Sequence, residues 1–122
     1  MRLQSEFPYL KEFKERFPID DKTIFAYKEI YSNYELPPDI QVHEETHLKQ
    51  QEEYGAEKWI KRYLIDSKFR FEQEVEAFKA QVNHFKDRNQ RFISQRLCAK
   101  TLSSDLYGGF ITFEKAMEIL NV

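Results

Sequence analysis

Apolar positions recur along the chain at more than one spacing. Leu10, Phe13 and Phe17 follow at helical intervals and predict a helix over residues 5 to 17, with Ser5 at its cap. Pro8 falls in the first turn, where a missing N–H costs little, and Pro18 ends the run. Residues 22 to 33 are rich in β-branched and aromatic side chains. They predict one long strand or a hairpin turning near Lys28 and Glu29. Residues 35 to 39, Glu-Leu-Pro-Pro-Asp, form a rigid loop, with Asp39 a cap for the next helix.

That helix runs from about Ile40 to Glu53 and is interrupted at Gly55. A shorter amphipathic helix follows, with Ala56, Trp59, Ile60, Tyr63 and Leu64 on one face. Asp66 or Ser67 caps a long helix reaching about Lys86, whose stripe is Phe71, Val75, Phe78, Val82 and Phe85. Residues 91 to 103 and 113 to 120 predict two further helices, separated by Tyr107-Gly108-Gly109. The expected fold is α+β: a mainly helical single domain over residues 1 to 122, with one small N-terminal sheet or hairpin.

Composition narrows the function classes. With 122 residues, 41% hydrophobic and 33% charged, the chain reads as one soluble globular domain. A net charge of −2 argues against a dedicated nucleic-acid binder. The basic run Lys79, Lys86, Arg88, Arg91, Arg96 and Lys100 reads as a solvated helix face. The single cysteine, Cys98, excludes an internal disulfide and a cysteine-cluster metal site, and reads as a small buried residue. No stretch approaches a membrane span, and the N-terminus has no apolar secretory region. A cytoplasmic location is expected, with no nucleic-acid or membrane partner, as a monomer or weak homo-oligomer.

Chemistry concentrates at residues 43 to 47, His-Glu-Glu-Thr-His, which is H-E-x-x-H on the predicted helix. Positions four apart differ by about 40° around a helix, so His43 and His47 can converge on one ion. Neutral imidazoles suit Zn²⁺. Glu44 is rotated about 60° from His47, beside the ion, where it can take a proton from an activated water. A catalytic zinc needs a third protein ligand. Around the later helix, Glu74 lies about 60° from the centre of the apolar stripe, Glu72 about 100° and Glu76 about 140°. Glu74 is therefore the expected third ligand, and Glu76 should be solvated. His84, also about 140° away, reads as a surface histidine. Tyr107, beside two glycines, and Tyr54, on the His43/His47 face, are candidate donors to an oxyanion; Tyr54 reads more readily as a core aromatic. The strand at 22 to 33 offers an edge for an extended peptide.

These residues resemble the gluzincin zinc metallopeptidases. The local text is similar to minimal gluzincins and to the short metallopeptidases encoded by tailed phages and their hosts. The matching stretches are Leu36-Pro37-Pro38-Asp39, His43 to His47 with Gln50 and Gln51, Glu74-Val75-Glu76-Ala77 with Gln81, and Tyr107-Gly108-Gly109. The resemblance implies His43, His47 and Glu74 as zinc ligands and Glu44 as general base. It also implies a peptide or protein substrate and, if phage-encoded, the host cytoplasm. One departure is Phe78, where several gluzincins carry an acidic residue that orients a ligand histidine; Gln81 is expected to take over. Two alternatives remain open: a zinc amidase acting on cell-wall peptides, and a catalytically silent zinc-binding phage or host interaction protein.

Overall fold

A computed structural model describes residues 1–122. It contains six helices and one antiparallel pair of strands. In chain order these are α1 (Leu10–Arg16), β1 (Phe25–Tyr27), β2 (Glu29–Tyr31), α2 (Pro38–Tyr54), α3 (Ala56–Ile65), α4 (Ser67–Asn83), α5 (Arg88–Leu102) and α6 (Phe113–Ile119).

The mainly helical α+β expectation holds, with corrections at the ends of elements. The first helix starts at Leu10, not Ser5, and residues 4 to 6 form a separate 3₁₀ turn. Phe7 is extended, as the residue before a proline prefers, and this splits the two. Helix α2 begins at Pro38, so Asp39 lies in the first turn and is not the cap. A proline suits that first position, and a carboxylate there faces the positive end of the helix. Gly55 separates α2 from α3 at φ 100°, a value that favours glycine. Asp66 does cap α4, its carboxylate accepting from the Phe69 N–H at 3.0 Å. Helix α4 stops at Asn83, short of Lys86, and His84 is exposed.

The hairpin forms with Phe25 opposite Tyr31, Ala26 opposite Ile30 and Tyr27 opposite Glu29. Lys28 alone spans the tip at φ 63°. Gln51 of α2 clamps that tip. Its amide donates to the Ala26 carbonyl at 2.7 Å and accepts from the Lys28 N–H at 2.8 Å. The outer edge of β1 is therefore already occupied at Ala26 and Lys28, which restricts the expected peptide-pairing edge. On its other side β2 bridges to Arg2.

Two hydrophobic cores result. The first joins α1, the hairpin, α3 and the start of α4 through Phe7, Phe13, Phe25, Trp59, Ile60 and Phe69. The second joins α4, α5 and α6 through Phe78, Val82, Cys98, Ala99, Leu102 and Leu120. Cys98 is buried there, as expected. Helix α4 packs against α2, α3 and α5, so its buried face is wider than the apolar stripe alone defines. Phe71, Val75 and Phe85 are only half-buried, whereas Arg70, Glu74, Ala77 and Gln81 are buried. No helix is long and apolar enough to cross a membrane.

Candidate metal centre

Helix α2 presents His43, Glu44, His47 and Gln50 to the same neighbour, α4, because residues three and four apart share a helix face. Helix α4 answers with Glu74. Its Oε1 lies 3.0 Å from His43 Nε2 and 3.2 Å from His47 Nε2. Ligand atoms of His43, His47 and Glu74 all fall within 4.8 Å of one another, and all three residues are buried. This cluster could hold a metal ion: two imidazole nitrogens and one carboxylate oxygen converge on one point. Glu74 is deep in the interior, at 3% exposure, not at the margin where the stripe arithmetic puts it. The burial reflects the three helices that surround α4.

Glu44 is buried beside this group, with Oε2 3.9 Å from His43 Nε2. Tyr107 is brought to the same cavity by the 3₁₀ turn over residues 105 to 107. The other calculated faces fare differently. Tyr54 lies apart from the site and is exposed at 41%, so it is not the expected core aromatic either; its hydroxyl accepts from Arg62 at 2.9 Å. Gln81 reaches Asp39 at 3.5 Å and neither histidine, so it does not take over the orienting role. Phe78 instead packs its ring against His43 at 4.7 Å, and His43 Nδ1 is buried without a partner.

The orienting role falls to Gln50, and only for His47. Gln50 Nε2 donates to the Gln73 carbonyl at 3.0 Å and to Glu76 at 3.2 Å. Its Oε1 is thereby turned to His47 Nδ1 at 2.9 Å, which must carry the hydrogen. In neutral His47 the lone pair is then on Nε2, facing Glu74. Tyr63 donates its hydroxyl to the other Glu74 oxygen, Oε2, which leaves Oε1 to the histidines. Trp59 packs its ring at a tilt against His47, 5.3 Å between centres, and donates its N–H to Gln73 at 2.9 Å. Arg70, one turn before Glu74, is buried and lines the same cavity.

Gln50, Tyr63 and Arg70 carry no assigned role in the sequence reading. For Gln50 a signal exists, because a polar residue three positions after His47 shares its face. Tyr63 sits on an amphipathic stripe and looks like a core residue. Nothing local marks Arg70.

Charge is strongly coupled here. Burial alone would depress His47, but the Glu74 charge and hydrogen bond, with Glu44 and Gln50, outweigh it and lift His47 from 6.5 to about 9. Burial also opposes ionisation of Glu74, yet His47 and His43 hold its carboxyl well below the ordinary range. Burial pushes Glu44 up against the pull of the two histidines. Burial, with the charges of Glu74 and Glu44, keeps the Tyr107 phenol well above an ordinary tyrosine, so it remains a proton donor. A stability consequence follows for the metal-free protein. The folded state holds a proton on His47 that the unfolded state has lost. The resulting stabilisation is fully present below pH 6.5 and disappears as pH rises through about 9. Denaturant midpoints measured in chelator should therefore fall across that window, and a flat profile would contradict the His47–Glu74 ion pair.

Comparison of the chain with protein families, with curated proteins and with solved structures found no match in any of the three.

Proposed function

We propose that the protein is a zinc-dependent peptidase of the gluzincin type, hydrolysing peptide bonds with Glu44 as general base. The observation that carries this reading is the convergence of His43, His47 and Glu74 at one point, with Glu44 buried alongside and outside the ligand set. Two nitrogens and one carboxylate oxygen form the donor set of a catalytic zinc that keeps an open position. Four tightly ordered protein ligands would favour a purely structural role. Zinc bound there supplies Lewis acidity, polarising a carbonyl and acidifying water.

The chain's own residues do the rest. Glu44 accepts a proton from the attacking water and delivers it to the leaving amine. Tyr107, kept protonated, lines the cavity that Glu44 faces and donates to the developing oxyanion. Tyr63 engages Glu74 Oε2 and Gln50 fixes the His47 ring, so both ligands are held in one orientation. Aromatic side chains, Phe7, Phe13, Phe25 and Tyr63 among them, line the cavity beside these groups.

Elemental analysis after reconstitution tests the ligand set. The wild-type chain and Glu76→Ala should each carry about one zinc per chain, and Glu74→Ala should carry none. A wild-type chain that takes up no zinc would remove the hydrolase reading. Loss of zinc in Glu76→Ala alone would move the third ligand to the wrong side of α4.

A further inference from the structure

Helices α2 and α5 both pack on α4 but hardly touch each other, which leaves a groove between them with α4 as its floor. Ile24 and Ile40 stand on one side of its inner half and Leu97 and Thr101 on the other, over Phe78 and Gln81. His43 and Glu44 line the same stretch, so the groove opens on the candidate metal centre itself. The outer half is bounded by Ile93 and Leu97 of α5, Ile40 of α2 and Phe85 beyond the end of α4. Ile40, Gln81 and Leu97 belong to both halves, so the two run together as one channel.

The α5 wall is built from surface side chains. Ile93 is 58% exposed and Leu97 64%, although both are apolar. Four residues apart, they share one face and are separated along the helix axis by about 6 Å. In an extended peptide, side chains two residues apart lie on one face at a spacing of about 7 Å. The two spacings match. Each apolar residue is followed three positions on by a cation, Arg96 after Ile93 and Lys100 after Leu97. Both cations are exposed, and neither joins an ion pair within the chain. They form a second row, about 60° around the helix from the apolar one. Gln81 and Gln90 supply hydrogen-bonding groups along the groove for a peptide backbone.

We propose that this groove holds one arm of the substrate in extended form and selects chains in which apolar residues alternate with acidic ones. This rests on the peptidase reading. An extended chain turns every second side chain to the same side. The apolar side chains of the substrate face Leu97 and Ile93, and its acidic ones project toward Lys100 and Arg96. Single apolar residues scattered on a surface are ordinary, whereas a pair aligned along a groove that ends at the proposed general base marks a contact surface. Phe92 gives the contrast. It is also exposed, at 51%, yet it lies about 140° around α5 from Leu97 and lines neither half of the groove. Leu97 and Ile93 touch no reacting atom. They act on specificity, through where the chain is held.

The test uses fluorescein-labelled Ala-Gly-Leu-Glu-Leu-Glu-Gly-Ala and three relatives. One has both leucines replaced by serine, one has the leucines adjacent, and one has both glutamates replaced by lysine. Fluorescence anisotropy measures their binding to zinc-loaded Glu44→Gln, in which turnover is slowed. The alternating peptide should bind about ten-fold more tightly than the serine peptide, the worth of two leucine side chains partly removed from water. Adjacent leucines point to opposite sides, so that peptide should recover only part of the gain. The lysine peptide should bind less tightly than its glutamate parent, by a margin that shrinks as salt is raised. Leu97→Ser in the same background should lose most of the leucine preference and Phe92→Ser should keep it. Both residues are exposed, so neither change empties the core, and circular dichroism checks that each variant folds. Equal affinity for the leucine and serine peptides, equal effects of the two serine variants, or a preference for the lysine peptide each overturns the proposal. Cleavage by the wild-type chain separates the groove from the reading beneath it. Hydrolysis of all four peptides at one rate would keep the peptidase and remove the selective groove. Leucine-dependent binding without hydrolysis would remove the peptidase and leave a peptide-binding groove.

Discussion

Glu44→Gln is expected to slow peptide hydrolysis by about a hundred- to ten-thousand-fold while the bound zinc stays in place. Glutamine has nearly the shape of glutamate but cannot accept a proton at neutral pH. Glu44 lies 3.9 Å from His43 Nε2, outside the cluster of three ligand atoms, so its replacement removes no metal ligand. Burial also means that no other carboxylate can swing in: Glu45 is exposed, and Glu74 is engaged by both histidines and by Tyr63. Single-turnover rates with elemental analysis on the same preparation check this. A variant that keeps both zinc and rate would show that Glu44 is not the base.

Trp59→Ala should destabilise the fold by about 3–5 kcal/mol, the usual cost of emptying a large aromatic site. Trp59 is 2% exposed in the first core. Its ring stacks on Tyr63 at 4.9 Å and leans on His47 at 5.3 Å. Its N–H also satisfies Gln73 Oε1, so the truncation leaves a half-buried amide oxygen with one fewer donor. The change removes the wall behind a ligand ring as well, so zinc affinity should fall together with stability. Urea unfolding with and without saturating zinc separates the two effects. A loss below about 1 kcal/mol would mean that the site collapses and refills, a sign of loose packing around His47.

Much of the architecture is legible in local pattern, and the reason is range. Gly55 and Asp66 punctuate helices through their own backbone and side-chain chemistry, which neighbours in sequence reveal. The hairpin is readable from its β-branched and aromatic run, although its single-residue tip at Lys28 depends on Gln51, which lies far along the chain. The same limit governs the site. H-E-x-x-H declares itself within one turn of helix. Glu74 is reached by face arithmetic, but its depth comes from α2, α3 and α5 closing around α4, which no stripe on α4 encodes. Gln50 takes the orienting role expected of Gln81 for a similar reason. Both are glutamines near a ligand in the pattern, and only the packing of α2 on α4 decides which of them meets an imidazole nitrogen. Tyr63 acquires significance only when α3 and α4 meet.

The two histidines do not share a backing. His47 rests on Trp59, which belongs to the hairpin-side core, whereas His43 rests on Phe78, which belongs to the α5–α6 core. An ion gripped by both rings is therefore a rivet between two separately packed halves. Withdrawing it would slacken their mutual alignment before either interior melts, because each half keeps its own apolar contacts. Amide exchange would then quicken first along the α2–α4 seam, where the ion joins the two halves.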